Sequence, residues 1–277
     1  MRTWLGDRRR RWTVGVIAVV VVAGAAFAVA STSDSHHTVA AHVVSPGVPA
    51  ITGTGRAAGV TPSINSGIAP GKAILTSMVE TLDVFEAPGG AVSRRMAQLT
   101  YYNRPLTLMA IEDSSAAGAT WYEVLLPAKP NGQTGWVRAA DVSVSSTNTL
   151  IRVYLAEHQL DLVVDGTVVM TAPVATGSPY TPTPRGTFYI TDPIDLSADP
   201  TTAYGSYALG LSGYSEALDS FKGTVPQIAI HGTSLPNLVG QSVSNGCVRM
   251  ENSAVTALAA RVGLGTPVII SASRTAA

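Results

Sequence analysis

The 277-residue chain carries 18 basic and 18 acidic residues, with charged residues at only 13% and hydrophobic ones at 46%. Its length exceeds one ordinary domain, and a composition rich in Ala, Gly, Ser and Thr but poor in charge favours β-rich, loop-rich units over charged helical bundles. Arg2, Arg8, Arg9, Arg10 and Arg11 all precede the first apolar run; setting them and Asp7 aside leaves 13 basic against 17 acidic residues. That mildly acidic remainder has no Lys/Arg stripe to release counterions, which argues against nucleic acid as the partner.

Residues 1–30 read as a cytoplasmic arginine cluster followed by a signal-anchor or transmembrane segment. Arginines ahead of an apolar run stay inside the cell, so the rest of the chain is exported. The run from Trp12 to Ala30 is 19 residues, close to the roughly 17 needed to span a bilayer. It is read as a retained membrane anchor, with cleavage after Ala28-Val29-Ala30 as the alternative and an extracytoplasmic, cell-envelope location in either case. Residues 31–72 have no sustained period and read as a flexible linker, long enough at roughly 35 Å on average to lift a domain off a membrane. His36, His37 and His42 lie in it without carboxylates or thiols nearby, so no metal site is expected there.

A first domain is expected over 73–145. Short apolar stretches at Ile74–Val79, Leu106–Ile111, Trp121–Leu126 and Gly135–Val137 are separated by turn signals such as Pro88-Gly89-Gly90 and Pro130-Asn131-Gly132, as in a small barrel. Trp121-Tyr122-Glu123-Val124 followed by Gly135-Trp136-Val137-Arg138 resembles the bacterial Src-homology-3-like domains. That resemblance implies a positioning or glycan-contacting module, while both tryptophans also suit a plain core.

The second domain, 150–272, opens with alternation at Ile151, Val153 and Leu155, then at Leu160, Leu162 and Val164. Asp165-Gly166 follows, then Val168 and Met170. Asp-Gly between alternating apolar residues is a strong hairpin signal. A strand over Gln227–Ile230 runs into His231-Gly232, where a turn is expected to expose the imidazole. Asn252 or Ser253 is expected to cap a short helix ending near Arg261, with Gly263 as its stop and a last strand over Thr266–Ile270.

The chemistry is expected at Ile230-His231-Gly232-Thr233 and Ser244-Asn245-Gly246-Cys247-Val248-Arg249-Met250. Exported proteins ordinarily use cysteines in pairs, and Cys247 is the chain's single cysteine, so it is a candidate nucleophile. A free thiol is mostly protonated at neutral pH and needs a base. His158 lies in a hairpin turn, so His231 is the candidate. Gly246 lets a carbonyl approach the backbone, and the amides of Gly246 and Cys247 are expected to form an oxyanion hole. Arg249, two residues on, faces the same way in an extended strand. It is expected to depress the thiol pKa and to bind a substrate carboxylate, the alternative being a pair with Glu251. Ser244 either contacts substrate or satisfies its turn. No Ser-x-x-Lys or Gly-x-Ser-x-Gly elbow supports a serine acyltransferase, and no ligand cluster supports a metalloenzyme.

His231-Gly232-Thr233 with Cys247 sixteen residues after the histidine, inside Ser-Asn-Gly-Cys-Val-Arg-Met, resembles the L,D-transpeptidase (YkuD-like) catalytic domain. The resemblance extends to Thr176-Gly177, Thr183-Pro184-Arg185-Gly186-Thr187-Phe188 and the Tyr207–Tyr214 stretch. It implies a mainly β protein, with a β-sandwich-like catalytic domain and short helices after the Src-homology-3-like barrel. It also implies a catalytic Cys247, His231 and Gly232 carbonyl, with Thr233, Ser244, Asn245 and Arg249 as substrate-binding residues and no cofactor. The substrates it implies are peptidoglycan stem peptides. The cysteine acylates on the third residue of a donor stem, and an amine of an acceptor stem resolves the thioester; carbapenems commonly acylate such enzymes. Many relatives have histidine where Asn245 stands, which leaves the base role to His231 alone. Two alternatives stay open: an L,D-carboxypeptidase using the same residues, and a non-catalytic wall-binding protein.

Overall fold

The computed structural model describes residues 73–275, so the arginine cluster, apolar run and linker of 1–72 lie outside the described residues. Seven strands form the first sheet: β1 (Ala73–Ser77), β2 (Thr81–Phe85), β3 (Val92–Ala97), β4 (Thr107–Ala116), β5 (Ala119–Leu125), β6 (Thr134–Arg138) and β7 (Val142–Ser146). Their order is β3-β2-β6-β5-β4-β1-β7, antiparallel throughout. Strands β2, β3 and β7 are absent from the sequence reading, β3 for a physical reason. β3 reads Val-Ser-Arg-Arg-Met-Ala, is largely exposed and lies at the sheet edge, where no second face demands apolar alternation. Trp121 belongs to the core, 4% exposed, with its indole N–H donating to the Ala116 carbonyl at 3.0 Å, whereas Trp136 is only half-buried.

The second sheet is built from β8 (Thr149–Tyr154), β9 (Gln159–Val164), β10 (Thr167–Pro173), β12 (Gly186–Asp195), β13 (Tyr207–Tyr214), β14 (Gln227–His231), β16 (Val248–Arg249) and β17 (Pro267–Ser271). Their order is β10-β9-β8-β17-β12-β13-β14-β16. Two short strands, β11 (Thr176–Gly177) and β15 (Ser242–Ser244), pair in parallel beside it. The chain is thus mainly β, with one α-helix, α1 (Asn252–Ala259), among the described residues. That helix is neither long nor apolar enough to cross a membrane.

The alternation at the start of the domain dictates its meander. Ile151, Val153, Leu160 and Leu162 are fully buried in one core with Ile190, Leu209 and Leu211, because side chains two apart share a face. Asp165 and Gly166 both take positive φ, 50° and 78°, between Val164 and Thr167, the twist that a two-residue hairpin turn requires. Helix α1 lies over this core through Val255 and Leu258. Its capping differs from the expectation: Glu251 occupies the cap position without a side-chain hydrogen bond, because the Asn252 amide is engaged elsewhere.

The two sheets grip each other through a few well-formed contacts. Tyr189, from β12, is fully buried among the core residues of the first sheet, and its hydroxyl donates to the Leu125 carbonyl at 3.0 Å. Asn131 behaves as a strand partner for Tyr214: it donates to the Tyr214 carbonyl at 2.8 Å and accepts the Tyr214 amide at 2.9 Å. Lys129 donates to the Leu218 carbonyl at 2.7 Å. These bonds hold the segment 214–218 from the first-sheet side. Replacing Tyr189 with Phe leaves the apolar contact but strips the Leu125 carbonyl of this donor. A loss of about 1–3 kcal/mol is expected, measured as a lower urea midpoint at unchanged m value.

Candidate active site

Strand pairing brings the two key residues together. β14 and β16 run parallel, with Ile230 opposite Val248 and His231 opposite Arg249, and the Met250 amide donates to the His231 carbonyl at 2.8 Å. Ile230 and Val248 point into the hydrophobic core. Alternation therefore turns His231, Cys247 and Arg249 to the opposite face. There they line one groove with Tyr204, Asn245 and Gln227. The groove encloses about 70 Å³, a narrow slot beside the ~300–1,000 Å³ usual for small-ligand sites.

The upstream motif braces this arrangement. Ala175 and Arg249 exchange two backbone hydrogen bonds of 2.8 Å, so β16 is held on the side away from β14. Thr176–Gly177 pairs with Ser242–Ser244. The Gly177 amide donates to the Thr183 hydroxyl at 2.8 Å, and the Thr181 hydroxyl donates to the Ser244 carbonyl at 3.0 Å. Gly246 has φ of +109° and lies where a Cβ would stand 2.9 Å from Ile228 Cδ1, so the approach to Cys247 needs a residue without a side chain.

His231 is oriented from behind. Its Nδ1 lies 2.6 Å from the Gly232 carbonyl oxygen, which only accepts, so Nδ1–H is the donor and Nε2 carries the lone pair. The Tyr204 ring lies against the imidazole with centroids 4.9 Å apart and planes at 58°. At 3% exposure the imidazole is buried rather than exposed by its turn, which corrects the sequence expectation: the strand continues through His231 and Tyr204 covers it. Burial drives the pKa of His231 down to about 4, assisted by Arg249 and opposed by the Gly232 and Tyr204 backbones, which favour the protonated ring.

The thiol also departs from expectation. Cys247 keeps part of its surface open to the groove, yet enough atoms surround the sulfur that burial raises its pKa. The Ala229 amide and the Arg249 charge act in the lowering direction without reversing that rise. Arg249 thus acts in the predicted sense but is outweighed by desolvation. Thiol and imidazole consequently rest as a neutral pair. Among the described residues no ion pair joins Arg249 to Glu251, and the buried Arg249 Nε has no hydrogen-bond partner.

Other expected residues divide by where they point. Asn245 is exposed and lines the groove. Ser244, 1% exposed, accepts the Gly246 amide at 3.1 Å and donates to the Cys247 carbonyl at 2.5 Å. Its hydroxyl therefore holds the turn. The Gly246 amide, expected in an oxyanion hole, thus has the Ser244 hydroxyl as its acceptor. Thr233 is 5% exposed and its hydroxyl accepts the Leu235 amide at 3.0 Å, so it too serves the local turn.

Asn252 is the organising residue that sequence reasoning missed. Its Oδ1 accepts the Thr233 amide at 3.0 Å and the Ser206 amide at 3.2 Å. Gly205 and Gly232 crowd the same oxygen so closely that a Cβ on either would stand 2.0 Å and 2.2 Å from it. One side chain thereby ties the strand after His231 to the segment that presents Tyr204. Its position five residues beyond Cys247, at the head of an apolar helix, imitates an ordinary cap. Tyr204 and Gln227 were also missed, since neither carries a local signal.

A match to the family model described as the L,D-transpeptidase catalytic domain, YkuD, covers residues 148–270. A Bacillus licheniformis protein named "Putative L,D-transpeptidase YkuD" is 33% identical over 167 residues, 58% of this chain and 92% of that protein. Its namesake in Bacillus subtilis is 37% identical over 120 residues, 43% of this chain and 64% of that protein, so the chain spans just under two thirds of that relative. The crystal structure of an L,D-transpeptidase from Mycobacterium tuberculosis is 17% identical, over 52% of this chain and 74% of that one, at a TM-score of 0.37, too low to add weight.

Two outcomes test this geometry. The folded pKa of His231, about 4, lies below its ordinary 6.5, so between those values the unfolded chain binds a proton that the folded chain refuses. The stability from the neutral imidazole is complete above pH 6.5 and is lost as pH falls towards 4, about 3 kcal/mol in all; urea midpoints measured across that range should show a slope that His231→Gln lacks. Asn252→Ala leaves two amides without an acceptor and should cost about 2 kcal/mol, with faster hydrogen exchange at the Thr233 and Ser206 amides.

Proposed function

Because the chain belongs to the L,D-transpeptidase (YkuD) family, we propose that it is a cysteine acyltransferase that cross-links peptidoglycan stem peptides in the cell envelope. The observation that carries this reading is that His231, Cys247 and Arg249 share one face of the sheet and one groove, with Nδ1–H of the histidine held by the Gly232 carbonyl.

A neutral pair dictates the order of events. Sγ attacks the carbonyl carbon of the donor's third residue as its proton passes to His231 Nε2, so charge appears only as the bond forms. Arg249, with its unpartnered Nε, stands beside that developing charge and offers a donor to a substrate carboxylate. The Cys247 amide supports the tetrahedral oxygen. The D-alanine amine leaves with the proton from His231, and a thioester remains. An acceptor amine then attacks the acyl carbon, the C–S bond breaks, and the amine's proton restores the thiol. Asn245 contacts substrate at the rim, and the first sheet, read as a Src-homology-3-like module, positions the groove wall at 214–218.

The test is incubation of the exported part with tetrapeptide-bearing muropeptides, analysed by mass spectrometry. Cross-linked dimers are expected, together with a covalent adduct after exposure to a carbapenem. Cys247→Ala should lose both, and His231→Ala should slow acylation by about a thousand-fold. Trimmed tripeptide without dimers would make the protein a carboxypeptidase. A Cys247→Ala variant with full function in cells would make it a wall-binding protein.

A further inference from the structure

The Cys247 groove does not end at its own rim. Gln227, the first residue of β14, lines it and also lines a larger cleft of about 360 Å³ between the two sheets, against about 70 Å³ for the groove. On the first-sheet side the cleft is walled by Arg94 and Met96 of β3 and by the loop carrying Tyr101 and Tyr102; on the other side stand Asp192 and Tyr214.

The aromatic pair is not explained by folding, and the charges keep spare capacity: Arg94 donates one bond, to the Gln133 side chain at 3.3 Å, and Asp192 braces the loop at Thr100. Tyr101 is 91% exposed and Tyr102 48% exposed. Their rings meet edge to face with centroids 5.1 Å apart and planes at 90°, an apolar surface held out in water at the cleft mouth. Asp192, 3% exposed, accepts a short hydrogen bond from the Thr100 hydroxyl, which ties the same loop to the second sheet. Arg94 and Asp192 both act on the Tyr214 phenol, in opposite directions, so cation and anion flank one ring. Tyr102 in turn lies near enough to influence Tyr204, the residue against the His231 ring, so the two openings adjoin.

We propose that this cleft seats the acceptor stem peptide, with Arg94 taking a peptide carboxylate, the tyrosines packing on the backbone, and the acceptor's amine drawn along the Asp192 side past Gln227 towards the acylated Cys247. This rests on the transpeptidase reading above. A peptide with carboxylates at one end and one free amine matches a site with a cation outside and an anion deeper in. At the sulfur the amine nitrogen forms the amide with the acyl carbon, the C–S bond breaks, and the amine's proton returns to sulfur through His231.

The experiment supplies a tetrapeptide stem as donor and a tripeptide stem as acceptor, the latter having no fourth residue to expel. Acylation is followed by intact mass and transfer by dimer yield. Arg94→Gln and the fully exposed Tyr101→Ser lie outside the Cys247 groove. Each is expected to raise the KM for the tripeptide acceptor about ten-fold and to divert product to hydrolysed donor, with the wild-type rate of acylation. If the wild type acylates and cross-links but both variants keep its acceptor KM, the cleft is not the acceptor site. If the deficit appears only with an acceptor that still bears its disaccharide, glycan occupies the cleft and the proposal fails. A wild type that never acylates overturns the transpeptidase reading itself, and this inference with it.

Discussion

The parallel pairing of β14 with β16 is the constraint on which the site depends. Only two residues of β16 are in register, but they set Arg249 beside His231 and leave Cys247 at the entry to the strand. Val248 and Ile230, locked in the core, fix which way their neighbours face. A slip of one residue would send the thiol into hydrocarbon and bring Val248 to the groove. The exchange of backbone bonds between Ala175 and Arg249, and the β11–β15 pair, oppose such a slip from the other side. The conformation of residues 174–183 is therefore as necessary to the cysteine as its immediate neighbours are.

Burial sets the electrostatic character of the pair. A histidine held near pKa 4 and a thiol raised above its ordinary value do not exchange a proton at rest. The arrangement differs from a pre-formed thiolate–imidazolium pair, in which the nucleophile is charged before substrate arrives. A neutral sulfur is less exposed to oxidation than a thiolate. Reactivity then depends on what enters the groove, since any bound group changes the surroundings that keep the pair neutral.

Much of the fold was legible wherever one face of a strand is buried. Ile151, Val153, Leu160 and Leu162 alternate because the other face of each strand lies away from their core, and Asp165-Gly166 has the chemistry its turn demands. Edge strands such as β3 were not legible, since solvent on both sides removes the pattern. In the site, the cysteine, histidine and arginine were readable because their chemistry is rare in combination. Ser244, Thr233 and the Gly246 amide have turn bonds that the sequence did not show, because a polar group reads the same whether it meets a substrate or a neighbouring turn. Asn252 was misread for a related reason: its amide closes a contact with residues 206 and 233, whose proximity only the tertiary fold creates. The depressed histidine pKa lies further from the sequence still, because it depends on the covering ring of Tyr204.

Tyr189 and Asn131 bear on how this chain can be divided. The stretch matched to the catalytic family begins at residue 148, yet a tyrosine within it is rooted in the preceding sheet, and residues 214–218 hang from the Asn131 and Lys129 side chains. Excising that stretch would bare the aromatic ring and release the segment that leads to Leu218 and Phe221 at the groove wall. The catalytic fragment and its neighbour are thus halves of one machine part, and the smallest piece expected to retain a shaped groove begins at β1.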